Sequence, residues 1–130
     1  MEFLGKRQGS AQVTTKQKGD AAEDASLRHL QAAGLHLLAR NYRTPGRGGG
    51  EIDLILREPD GTLVFVEVRQ RASASHGGAA ASIGAAKRQR IILAARHYLM
   101  RLREPPPCRF DVVLVEPAGL RWLRAAFEVE

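Results

Sequence analysis

A chain of 130 residues supports one hydrophobic core and not comfortably two, so a single domain is expected. The net charge of +6 and a pI near 10.2 rest mostly on arginine, since the lysines are only Lys6, Lys16, Lys18 and Lys87; this balance favours a polyanionic partner, nucleic acid first and an anionic membrane surface second. Cys108 is the only cysteine, so no intrachain disulfide forms, and no apolar run approaches the roughly 20 residues that span a bilayer.

Residues 1–18 are polar and aperiodic and read as a flexible basic arm, followed by a single domain over 19–130. The opening lacks the apolar core of a signal peptide, and the expected compartment is the cytoplasm. GDAAEDASLRHLQAAG reads as a helix from about Asp20 to Ala33, with Asp20 as its N-cap and Gly34 as its stop. LHLLARNYR is a first strand and TPGRGGG a hairpin loop, with no G-K-[ST] continuation to make it a phosphate loop. EIDLILR is a second strand, with Ile52, Leu54 and Leu56 on one face. EPDG places Pro59 and Gly61 where a tight turn wants them and joins it to TLVFVEVRQR as an antiparallel hairpin.

ASASHGGAAAS is a small-residue loop. IGAAKRQRIILAARHYLMRL is a second, longer helix, and the prolines at 105–107 end it. CRFDVVLVE is a fourth strand, in which Asp111 pairs with Arg109 on one face as a structural element. LRWLRAAFEVE is a fifth strand or a helical tail. The order of elements is that of an α/β sandwich with a mixed sheet.

In VFVEVRQR one face is all valine, while the other carries Glu67 and Arg69 in a strongly apolar strand. A buried carboxylate is costly unless paired or metal-bound. Asp53 sits on the neighbouring strand, opposite the Ile52 face. Counting outward from a turn at 58–61, Arg57 faces Thr62 and Asp53 faces Val66, one residue out of step with Glu67. A bulge or a one-residue change in the turn brings the two carboxylates level. Two such carboxylates suit a hard divalent ion, which takes one or two of them plus phosphate oxygens. An ion pair of Glu67 with Arg69 or Arg71 is the plainer alternative, and Glu51 competes for any ligand role.

Glu23 shares the stripe of Leu27 and Leu30, and Asp20-Ala-Ala-Glu23 also has the spacing of a capping box. Asp24 points elsewhere and can pair with Arg28. Lys87 opens a stripe continued by Ile91, Ala95, Tyr98 and Leu102, on the core side of the second helix. Arg88 and Arg90 flank it and, with Arg71, are candidate contacts to a nucleic-acid backbone. The four histidines have no metal-ligand spacing.

GDAAEDASLRHLQAAG, ARNYR, GEIDLI, VFVEVRQR, KRQRIILAARHYL and CRFDVVLV occur in this order. Together, over roughly residues 19–127, they resemble the YraN-like family of uncharacterised bacterial proteins. That family resembles the PD-(D/E)XK nucleases, especially archaeal Holliday-junction resolvases. The resemblance implies a restriction-endonuclease-like α-β-β-β-α-β core with a mixed sheet flanked by helices, a homodimer, and Mg²⁺ (with Mn²⁺ as substitute) between a helix glutamate, a strand aspartate and an E-x-K strand. Residue by residue these are Glu23, Asp53 and Glu67, with Asp53 and Glu67 as metal ligands. The E-x-K lysine falls on Arg69, which stays charged and cannot serve as a base, although it can bind phosphate. Lys87 is the candidate replacement.

The expectation is a nuclease-like protein acting on branched or structured DNA. The alternatives are a non-catalytic DNA-binding or scaffold protein that kept the fold and lost the chemistry, and a partner-binding module that takes no nucleic acid.

Overall fold

A computed structural model describes residues 13–72 and 83–129. Most of the expected basic arm and nearly all of the small-residue loop, His76 included, lie outside the described residues. Helix α1 spans Thr15–Ala32, strand β1 His36–Arg43, β2 Glu51–Arg57, β3 Leu63–Gln70, helix α2 Ala85–Leu99, β4 Cys108–Glu116 and β5 Gly119–Phe127. The α-β-β-β-α-β order is therefore present, and LRWLRAAFEVE supplies a fifth strand. No described helix is long and apolar enough to cross a membrane.

The strands form one sheet in the order β1-β2-β3-β4-β5. Only β3 and β4 run parallel; the other neighbours are antiparallel. Helices cover both faces. Leu30 and Leu35 meet Leu54, Leu56, Val64 and Val66 on one side, and Ile91, Ala94 and Ala95 of α2 meet Ile55, Phe65, Phe110 and Val112 on the other. Glu67 and Arg69, in step with Phe65, belong to the α2 side.

Several expectations are corrected. Helix α1 begins at Thr15, before Asp20, because the capping box is Thr14 with Gln17. Thr14 Oγ1 accepts from the Gln17 amide at 3.0 Å, and the Thr14 amide donates to Gln17 Oε1 at 2.9 Å. Asp20 lies inside the helix and pairs with Lys16 at 2.8 Å. Asp24 pairs with Arg40 at 2.7 Å, not with Arg28. Helix α2, at 15 residues, is shorter than α1, at 18. Ile52 does not share a face with Leu54 and Leu56; it packs with Ile55 against α2, so the alternation of β2 slips at Asp53.

The turn is also one residue tighter than a 58–61 turn. Glu58 N–H donates to Thr62 at 2.9 Å, leaving a three-residue loop, Pro59-Asp60-Gly61. Gly61 closes it with φ +96°, a conformation that glycine adopts without Cβ strain. Leu54 consequently faces Val66, the last pair of the β2–β3 ladder before Asp53.

Two local devices hold the frame. Gly50 presses on α2 so closely that an added Cβ would lie 2.1 Å from the Arg90 carbonyl. Asp111, fully buried, accepts from Arg109 Nε at 3.0 Å, Trp122 Nε1 at 2.9 Å and the Ala125 amide at 2.9 Å. Arg109 also pairs with Glu58. The Arg109–Asp111 pair is structural, as its alternation with apolar neighbours suggests.

Candidate functional site

The carboxylates gather at one edge of the sheet, where β3 and β4 end, β2 begins and α2 starts. Glu67 is 4% exposed, on the α2 side of β3. The β2–β3 ladder stops at Leu54–Val66, and beyond it the Val68 amide donates to Asp53 Oδ2 at 2.8 Å. A side chain thus takes the place of a backbone acceptor, which fixes Asp53 beside Glu67.

Burial, and then the negative charge of Asp53, push the Glu67 carboxyl up to about 8 from its usual 4.5. Lys87 and Arg69 pull in the opposite direction. Lys87 Nζ stands 3.6 Å from Glu67 Oε2. Glu67 Oε1 is buried without a hydrogen-bond partner. Such a group is rare in a folded protein and calls for an explanation.

Glu51 leans towards α2, 3.9 Å from Lys87 and 3.6 Å from Arg90. Its competition with Glu67 is therefore for the lysine. Glu23 enters from α1. Burial first, then Asp53, raises its carboxyl, while Arg40 at 3.2 Å opposes the shift. Glu23, Glu51 and Asp53 line one cleft of about 370 Å³.

Of the expected site residues, Glu23, Asp53, Glu67 and Lys87 converge, and Arg69 lies near enough to act on Glu67 electrostatically. Arg90 joins them through Glu51. Arg88 instead lines a small cleft with Glu128, and Arg71 meets Glu116 at 3.6 Å. The Arg71 pair is an internal bond between the ends of β3 and β4, which takes Arg71 out of the set of freely presented phosphate contacts.

Arg40 was not anticipated. It ties β1 to Glu23 and Asp24 at once, and nothing in ARNYR marks it for that role. The neighbouring Asn41, at φ 54°, has a recognisable signal, because asparagine tolerates the left-handed region better than most residues.

An all-oxygen pair of this kind suits a hard divalent cation. Among the described residues, no group of three or more His, Cys, Asp or Glu side chains forms a ready-made cage. Mg²⁺ does not need one, since it keeps waters and takes one or two carboxylates plus substrate oxygens. The orphaned Oε1 of Glu67 and the raised carboxyl beside Asp53 are features that such a cation would relieve.

The model of the uncharacterised protein family UPF0102 matches residues 22–115, a span containing Glu23, Asp53, Glu67, Lys87 and Arg90. The chain belongs to that family. A UPF0102 protein of Albidiferax ferrireducens is 77% identical over 115 residues, covering 88% of this chain and 90% of that protein. One of Paracidovorax citrulli is 72% identical over 116 residues, covering 89% of this chain and 86% of that one. One of an Acidovorax species is 65% identical over 130 residues, covering 98% of each. UPF0102 is the family that the motifs GEIDLI and VFVEVRQR already resembled under its YraN-like description.

Proposed function

We propose that this UPF0102 chain is a nuclease-like protein that binds branched or otherwise structured DNA and hydrolyses a phosphodiester bond with Mg²⁺ at Asp53 and Glu67. The observation that carries this reading is the buried, unpartnered Glu67 Oε1 beside Asp53, with the Lys87 ammonium 3.6 Å from the other oxygen. Bound Mg²⁺ would supply Lewis acidity and lower the pKa of water. In the hydrolysis a water oxygen bonds to phosphorus as the water gives up a proton to solvent, the bond to the leaving sugar oxygen breaks, and that oxygen takes up a proton from solvent.

The chain's own residues divide the work. Asp53 and Glu67 hold the cation, and Glu23 orients a ligand or water from the α1 side. Lys87 supplies the amine missing at position 69, so that water is directed from the helix rather than from the strand. Arg69 keeps its charge and serves phosphate. Arg90, half exposed, and Arg88 extend the positive surface along α2.

A second reading, a DNA binder without chemistry, is favoured by one observation: arginine stands where the E-x-K pattern has lysine. Incubating wild type, Asp53→Asn and Glu67→Gln with a four-way junction and a linear duplex in Mg²⁺ separates the two. Cleavage by wild type and its loss in both variants supports the first. Binding by all three with no cleavage supports the second.

A further inference from the structure

The other end of α2 carries a different surface. From Lys87 to Tyr98 the helix rises about 16 Å, at roughly 1.5 Å per residue, so this surface is separate from the carboxylate edge. Here a groove of about 470 Å³ opens between α2, the start of β3 and the proline-rich connection. Its floor is apolar: Leu38, Leu63, Tyr98, Leu102 and Pro106. Leu38 is 41% exposed, a large aliphatic side chain left in water on an edge strand.

The rim is charged. Arg57 and Arg103 stand on it with Glu104, and the Arg101 guanidinium covers the Tyr98 ring at 4.9 Å. Two arginines against one glutamate leave the rim basic around an apolar floor.

We propose that this groove docks an acidic peptide segment of another protein, with an apolar side chain seated on Leu38 and Leu102 and carboxylates meeting Arg57 and Arg103. Charge complementarity selects this occupant. A second copy carries a net charge of +6 and would set like charge against the rim. Nucleic acid matches the charge, but its polar backbone leaves the apolar floor unmatched, and the Tyr98 face is already covered by Arg101. An apolar anchor ringed by charge-assisted contacts is what a peptide supplies.

The test is fluorescence anisotropy of the full chain with a labelled peptide in which a run of glutamates leads to a terminal Leu-Phe pair. A control peptide carries lysines in place of the glutamates. Saturable binding of the acidic peptide alone is expected, weakened on the order of tenfold by Arg103→Glu and again by Leu38→Asn. Both positions are exposed, so circular dichroism melts should match wild type. No saturable binding of the acidic peptide, equal binding of the lysine peptide, or indifference to both substitutions would overturn the proposal. So would a result in which Leu38→Asn alters only the solution mass or only DNA affinity, which would assign the groove to self-association or to nucleic acid.

Discussion

Lys87 Nζ stands 3.6 Å from Glu67 Oε2, so the start of α2 brings a cation to face the buried acid. A lysine amine can direct water or shed its proton in a way that a guanidinium cannot. Lys87→Ala should therefore abolish cleavage of a junction substrate in Mg²⁺, while Arg69→Lys should change it little. Lys87→Arg separates charge from chemistry. It preserves the positive partner of Glu67 and should leave DNA affinity near wild type while cleavage stays lost. Wild-type rates in Lys87→Arg would reduce Lys87 to a charge partner.

The raised Glu67 carboxyl gives a pH dependence whose sign follows from linkage. Its folded pKa of about 8 lies above the ordinary 4.5, so between those values the native state holds a proton that the unfolded chain has released. Stability should be greatest at the acid end of this window, fall as pH rises through it, and level off above about 8. Glu23, also raised by burial and then by Asp53, adds to the fall. One proton limits the slope to about 1.4 kcal/mol per pH unit. Urea melts without divalent ions should show this decline, and Glu67→Gln should flatten it and stabilise the chain at pH 8.

Gly50 is the point at which the β1–β2 loop touches α2. An added Cβ would meet the Arg90 carbonyl at 2.1 Å and the Ala94 amide at 2.8 Å, both backbone atoms that cannot step aside. Gly50→Ala should cost about 2 kcal/mol, as overpacking does. It should also part Glu51 from Lys87 and Arg90. Gly19→Ala is the control. It lies inside α1 with nothing within 4 Å of its Cβ, and it should stabilise the chain by roughly 0.5–1 kcal/mol. Thermal melts showing both substitutions neutral would contradict the close approach at Gly50.

DNA binding should be strongly salt-dependent. A net charge of +6 and the arginines along α2 point to phosphate contacts, each of which releases counterions on binding. Arg90→Ala should reduce the slope of log affinity against log salt, and Arg71→Ala should not, because Arg71 is engaged with Glu116 inside the fold. Affinity that is flat with salt would favour a partner-binding module.

The strand pattern made much of this site legible. Valine at 64, 66 and 68 defines the α1 face, and Glu67 then has to face α2. The Leu54–Val66 register that brings Asp53 beside Glu67 was not legible, because it depends on Gly61 adopting φ +96° and shortening the loop by a residue. The stripe from Lys87 to Leu102 pointed Lys87 at the sheet, but its approach to Glu67 depends on how far α2 slides along β3, which Gly50 helps to set. Helix α1 was misplaced at its start because two capping signals overlap, and Thr14 with Gln17 prevails over Asp20 with Glu23. Arg40 was invisible, since a strand arginine carries no mark of the helix it will reach.

On the proposed function, Asp53 and Glu67 form one cation site. Its most direct measurement is a Mg²⁺ titration, repeated with Mn²⁺, followed by side-chain carboxyl NMR shifts at both residues, with and without DNA. The Asp53 and Glu67 signals should move together with one saturation curve, binding should release a proton from Glu67 near pH 7, and DNA should tighten the curve. Shifts confined to exposed carboxylates such as Asp60, with Glu67 still protonated at saturating Mg²⁺, would contradict it.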